Sequence, residues 1–157
     1  MNGYEYAIKM ELDGEMFYRE QALVNKDNVL NPVFLSLAED EKQHAIRIKE
    51  KEAGNDFLPD EEDMAKTKNV FTDAAGLDPE KSTTEQIDAY RKALEMEAKS
   101  IDLYKKLLSE SNENKDLFEF LIKQEEKHYN LIEEIIEMVI RPNEWVESAE
   151  FGLRKKY

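Results

Sequence analysis

Apolar residues recur at three- and four-residue intervals in four long stretches of this chain, the spacing of one buried face on an α-helix. In the first stretch, about 4–26, the stripe is Tyr4, Ala7, Ile8, Tyr18 and Ala22. The second, about 31–53, opens on Asn31-Pro32, a cap residue followed by proline at the first helical position, and Gly54 stops it. Its stripe is Phe34, Leu37, Ala38, Ala45 and Ile48. The third begins near Ser82-Thr83, where Ser82 and Glu85 have capping-box spacing, and runs to about 111 with Tyr90, Ala93, Leu94, Ile101, Tyr104 and Leu108 on one face. The fourth, about 115–141, carries Phe118, Leu121, Ile122, Tyr129, Ile132 and Ile136 and is expected to stop at Pro142. A further short helix over 144–152 fits the tail.

The connections are unequal. A few residues around Asp27-Asn28 join the first two helices, and a few around Asn112-Glu113 join the last two, so each pair should be an antiparallel hairpin. Between the pairs lie about thirty residues with Pro59, Gly76 and Pro79, enough to return along a helix of roughly 25 residues, or about 37 Å. The expected organisation is one all-α domain over 1–157: a hairpin at 4–53, a crossover at 54–81, a hairpin at 82–141 and a tail at 142–157. The crossover has room for a short helix near 61–67. Its acidic run Asp60-Glu61-Glu62-Asp63 reads as a solvated stretch.

The hairpins also repeat one another. Tyr4, Ala7, Ile8, Met10, Glu11 and Tyr18 correspond to Tyr90, Ala93, Leu94, Met96, Glu97 and Tyr104. Phe34, Leu37, Glu41, His44 and Ile48 correspond to Phe118, Leu121, Glu125, His128 and Ile132. Packed face to face, two such hairpins place matching residues about a pseudo-two-fold axis.

That repeat gives the charged residues inside the stripes their meaning. At about 100° per residue, Glu11 and Glu97 fall in the middle of the apolar faces of helices one and three, and Glu41, His44, Glu125 and His128 lie on those of helices two and four. The chain holds only 2 His, and each follows a Glu by three positions, a coincidence with a chance of about one in forty on composition. A single Glu-x-x-His would read as a solvated helix face; the matched pair inside matched stripes does not. Four buried carboxylates would repel one another and suffer loss of solvation, and cations relieve both. Four carboxylates and two neutral imidazoles balance two divalent ions. Glu and His at i, i+3 can reach one ion, and Glu11 and Glu97 are expected to bridge the pair. Mixed oxygen and nitrogen ligands suit iron or manganese, with zinc or cobalt as substitutes.

Nearby residues have competing readings. Glu15 could rival Glu11, but Ile101 stands at its counterpart, which makes Glu15 a rim residue. Tyr18 and Tyr104, two turns beyond Glu11 and Glu97, either pack in the core or donate to a ligating carboxylate on a neighbouring helix. Met10 and Met96 read as packing, and Trp145 and Phe151 as cover for the bundle end or a homodimer contact.

Composition narrows the function classes. The 157 residues include 37% charged residues, only 5 Gly and 4 Pro, and a net charge of −14, which opposes binding to nucleic acid or to an anionic membrane surface. There is no long apolar run and no signal-like N-terminus, so the expected location is cytoplasmic. With 0 Cys, no thiolate can serve as nucleophile or metal ligand.

At Glu11, Glu41-x-x-His44, Glu97, Glu125-x-x-His128, Tyr18 and Tyr104, and over nearly all four helices, the chain resembles the rubrerythrin-like branch of the ferritin-like di-iron carboxylate proteins. The resemblance implies a four-helix bundle binding two irons and an oxidoreductase that reduces peroxide, activates dioxygen or oxidises iron(II), in oxidative-stress defence or iron oxidation. Storage or delivery of iron without turnover, or metal-dependent sensing, is the alternative. Rubrerythrins proper also carry a four-cysteine rubredoxin domain that feeds electrons to the site; lacking it, this chain would need a separate electron-donor protein. They carry a further carboxylate one turn after the helix-three ligand, where this chain has Ser100, with Gly14 as its helix-one counterpart. Peroxide reduction through a shift of that carboxylate is therefore not expected here.

Overall fold

The computed structural model describes residues 2–56, 84–110 and 113–151, the last eleven of them in backbone only. Among the described residues there are four helices and no strands: α1 (Gly3–Val24), α2 (Asn31–Glu52), α3 (Thr84–Glu110) and α4 (Lys115–Phe151). None is long and apolar enough to cross a membrane.

Local chemistry sets the helix ends. Asn2 caps α1, its side-chain oxygen accepting the amide of Glu5 at 2.8 Å. An asparagine network shapes the α1–α2 turn: Asn28 Oδ1 accepts the Leu30 amide at 2.8 Å, and Asn25 Nδ2 donates to the Gln21 carbonyl at 2.8 Å. Asn31, expected to cap α2, instead lies inside the helix and donates to the Ala22 carbonyl at 2.8 Å, which ties the two helices together. Pro32 does occupy the first turn. Gly54, at φ 92°, closes α2, with Gly54 N bonded to Lys51 O and Asn55 N to Glu50 O.

Pro142 does not end the fourth helix, and the separate tail helix is absent, because α4 continues unbroken to Phe151. A proline removes one amide donor and crowds the carbonyl four residues back, and a helix can absorb that loss when good helix formers follow, as Glu144, Glu147, Ala149 and Glu150 do here. The crossover helix near 61–67, the acidic run at 60–63, the Ser82 capping box and the side chains of Trp145 and Phe151 lie outside the described residues.

Helices α1 and α2 form one hairpin and α3 and α4 the other, as a four-helix bundle requires. Across the seam α1 packs on α3 and α2 on α4. Tyr18 lies beside Glu97 and Tyr104 beside Glu11, so α1 and α3 run in opposite directions. It follows that α2 and α3 run the same way.

Among the described residues, two apolar cores fill the interior. One gathers Tyr18, Phe34, Leu37, Tyr90, Ile132 and Ile135; the other gathers Ala7, Ile48, Tyr104, Leu117, Phe118 and Leu121. The repeat survives in three dimensions. Tyr18 stacks on Phe34 at 6.2 Å and 22°, and their counterparts Tyr104 and Phe118 stack at 6.1 Å and 23°. A charged layer separates the two cores.

Candidate metal centre

All six charged residues singled out in the stripes are buried, none more than 3% exposed. They converge as two groups in which each residue offers one ligand atom and those atoms lie within 4.8 Å of one another. Glu11, Glu41, His44 and Glu125 form one group, and Glu41, Glu97, Glu125 and His128 the other. Glu and His of one motif therefore fall in the same group, as their spacing implies. The carboxylates common to both are Glu41 and Glu125, not Glu11 and Glu97 as expected.

Tyrosines set Glu11 and Glu97 apart from the shared pair. Tyr104 on α3 donates its hydroxyl to Glu11 Oε1 at 2.5 Å, and Tyr18 on α1 donates to Glu97 Oε1 at 2.6 Å. Each of these glutamates thus has one oxygen held by a tyrosine, and Oε2 is its oxygen without a hydrogen-bond partner among the described residues. Of the two readings of the tyrosines, core packing and donation across the bundle, the structure shows both at once, since each ring is fully buried and stacked while its hydroxyl reaches a carboxylate.

Both imidazoles point Nδ1 inward. His44 Nδ1 lies 3.1 Å from Glu125 Oε1 and 3.3 Å from Glu11 Oε2. His128 Nδ1 lies 3.0 Å from Glu41 Oε1 and 3.5 Å from Glu125 Oε1. The rings stack with centroids 5.8 Å apart. Their outer nitrogens are held by residues that the pattern analysis missed: Asp40 Oδ2 sits 3.0 Å from His128 Nε2, and Gln124 Oε1 sits 3.4 Å from His44 Nε2. A signal for them exists in the sequence, because each immediately precedes the glutamate of a Glu-x-x-His motif and both can accept a hydrogen bond.

Burial divides the four glutamates into two classes. Loss of solvent, reinforced by the charges of neighbouring glutamates, pushes Glu41 and Glu125 well above the usual carboxylate range. Burial also acts on Glu11, but its interactions with His44, Glu41 and Tyr104 outweigh it and leave the carboxyl below its usual value. Glu97 is lowered in the same way, with burial outweighed by His128, Glu125 and Tyr18. For His128, burial disfavours the charged ring, yet Asp40, Glu97 and Glu125 together raise it well above 6.5. Burial and the adjacent glutamates keep the Tyr18 and Tyr104 phenols protonated as donors.

The donor set fits metal on its own terms. Among the described residues, Glu11 Oε2, His44 Nδ1, Glu97 Oε2 and Glu125 Oε1 are buried without a hydrogen-bond partner, which would be costly in a site built for protons alone. Oxygen and imidazole donors converging in this number can hold divalent cations.

A cavity of about 380 Å³ reaches this layer between α1 and α3, touching Glu41, Glu97 and Glu125. Met10 and Met96 line it rather than serving only as packing. Gly14 and Ser100 leave the space: a Cβ at Gly14 would lie 3.5 Å from the Glu41 carboxyl carbon, and the Ser100 hydroxyl bonds back to the Met96 carbonyl at 3.2 Å. Glu15 lies outside both groups and pairs with Arg19 at 2.7 Å, as expected of a rim residue.

The rubrerythrin family model matches residues 4–136, a span that includes every residue of the centre. No curated protein and no solved structure matches the chain.

Proposed function

This chain belongs to the rubrerythrin family, and on that premise we propose that it is a di-iron oxidoreductase that reacts with peroxide or dioxygen. One observation carries the reading: among the described residues, two four-residue ligand groups, sharing Glu41 and Glu125, converge in one buried layer with four polar atoms unpartnered. Glu11 and His44 would complete one iron position, and Glu97 and His128 the other. Iron(II) bound at both positions would supply the two electrons that, with two protons, convert hydrogen peroxide to two waters.

The protein's own groups set the conditions for that exchange. Tyr18 and Tyr104 fix the orientation of Glu97 and Glu11, and the flanking apolar cores keep bulk water away. The cavity beside Gly14 and Ser100 gives a small oxidant a path to Glu41 and Glu125. With 0 Cys, these 157 residues hold no thiolate-ligated electron carrier, and a donor protein is the source of electrons in this reading.

Anaerobic loading with iron(II), followed by mixing with hydrogen peroxide or dioxygen, tests the proposal. Oxidation should be faster than for iron(II) in buffer and should lose its advantage in Glu41→Ala. Equal rates with and without the protein would refute an enzymatic role. The net charge of −14 favours a second reading, in which the site oxidises iron(II) for storage. A large shell in light scattering would support that reading, and a monomer or dimer would exclude it.

A further inference from the structure

The two halves of the centre are near copies, and one difference between them stands out. Glu41 and Glu125 belong to both ligand groups, so they cancel when the two positions are compared. Glu11 and Glu97 cancel as well, because each accepts one tyrosine hydroxyl, at 2.5 and 2.6 Å. The support behind each imidazole does not cancel. His128 Nε2 meets the Asp40 carboxylate at 3.0 Å, whereas His44 Nε2 meets the neutral Gln124 amide oxygen at 3.4 Å. Asp40 and Gln124 are themselves buried, 5% and 4% exposed, and occupy equivalent places before the two motifs.

That exchange has a direct chemical consequence. A carboxylate acceptor on Nε2 draws the ring proton toward itself, enriches Nδ1 in electron density and adds a fixed negative charge behind the ligand. An amide oxygen at the longer distance sets the same ring orientation but adds no charge and little polarisation.

We propose that Asp40 is a positioning residue that makes the centre unequal: the position formed by Glu41, Glu97, Glu125 and His128 takes a divalent cation first and holds it more tightly than the position containing Glu11 and His44. This rests on the two-metal reading of the site.

The test uses cobalt(II) added to the full chain after chelator treatment, with two readouts: stepwise affinity in solution, and cobalt anomalous scattering from crystals grown at one equivalent. The first ion should lie beside His128. Asp40→Asn, nearly isosteric, should weaken that first step by about 10–100-fold and leave the other within about threefold. Gln124→Glu should strengthen the His44 position, and the double variant should reverse the order of filling. A merely structural Asp40 would change the melting temperature of the metal-free protein without moving the site of the first ion. A first ion beside His44, an even division between the positions, or a filling order indifferent to both variants would overturn the inequality while leaving the two-metal reading intact. Failure to bind cobalt(II) at all would overturn both.

Discussion

Filling the centre with metal should expel protons, and the structure says from where. Glu41, Glu125 and His128 all hold their protons to higher pH than such groups ordinarily do, because they are buried among carboxylates. An ion seated in the layer needs the two carboxyls ionised and His128 neutral at Nδ1, so up to about three protons leave as two ions enter. The overall binding constant should then rise by up to about three powers of ten per pH unit, or about 4 kcal/mol at about 1.4 kcal/mol per proton. Calorimetric titration of the metal-free protein with manganese(II), in buffers of different ionisation enthalpy, counts the protons directly. Stability of the metal-free protein gives an independent reading. Glu41 and Glu125 have folded values above the usual 4.5, so their contribution is present below that pH and is lost as pH rises through the folded values. His128 acts in the same direction: its contribution is present below 6.5 and lost as pH rises through the raised folded value. Glu11 and Glu97, lowered, contribute above 4.5 and lose that contribution only as pH falls through their folded values, outside this window. The melting temperature without metal should therefore fall as pH rises from 4.5 through 6.5 and beyond, while the increment gained from metal grows. Metal uptake with no proton release, or a metal-free protein that becomes more stable across that range, would refute the placement of these three groups.

Three further outcomes follow from the geometry. Because Glu41 lies in both ligand groups and Glu11 in one, Glu41→Ala should abolish tight binding of both ions, whereas Glu11→Ala should keep one; metal analysis after gel filtration distinguishes them. Tyr104→Phe removes the hydroxyl that donates to the buried Glu11 Oε1, at a cost of about 1–3 kcal/mol to the metal-free fold, measurable by urea denaturation. Gly14→Ala places its methyl at ordinary contact distance from Glu41 in a helix interior, so it should stabilise the protein by about 0.5–1 kcal/mol with metal stoichiometry unchanged; a lower melting temperature would show that the space at Gly14 is needed by the fold.

The parts of this architecture visible in the sequence are those set by periodicity. Stripe spacing located the four helices, and the internal repeat brought Glu11, Glu41, His44, Glu97, Glu125 and His128 into one layer, because a residue's place on a helical face follows from its number. Periodicity does not say which oxygen of a carboxylate is already occupied. Glu11 and Glu97 are each held by a tyrosine reaching across from the facing helix, a contact between residues 79 and 93 positions apart. Asp40 and Gln124 escaped notice for a related reason: each lies at the edge of its own stripe and acts on the histidine of another helix. The stop expected at Pro142 failed because a local penalty of about 3 kcal/mol does not by itself decide a helix end.

The charged layer also accounts for how the bundle is divided. Without it, the core of Tyr18, Phe34 and Ile132 and the core of Ile48, Tyr104 and Leu121 would merge into one apolar interior of greater stability. Four glutamates placed between them weaken the metal-free fold, and the two tyrosine hydroxyls satisfy only Glu11 and Glu97. Glu41 and Glu125 are left to choose between holding a proton and holding a cation. Ligand binding stabilises a fold by about 2.7 kcal/mol at one hundred times the dissociation constant, so metal can recover stability that the acids cost. The same two residues that most destabilise the metal-free interior are the ones both ions would share, which makes metal affinity and the instability of the metal-free protein two consequences of one arrangement.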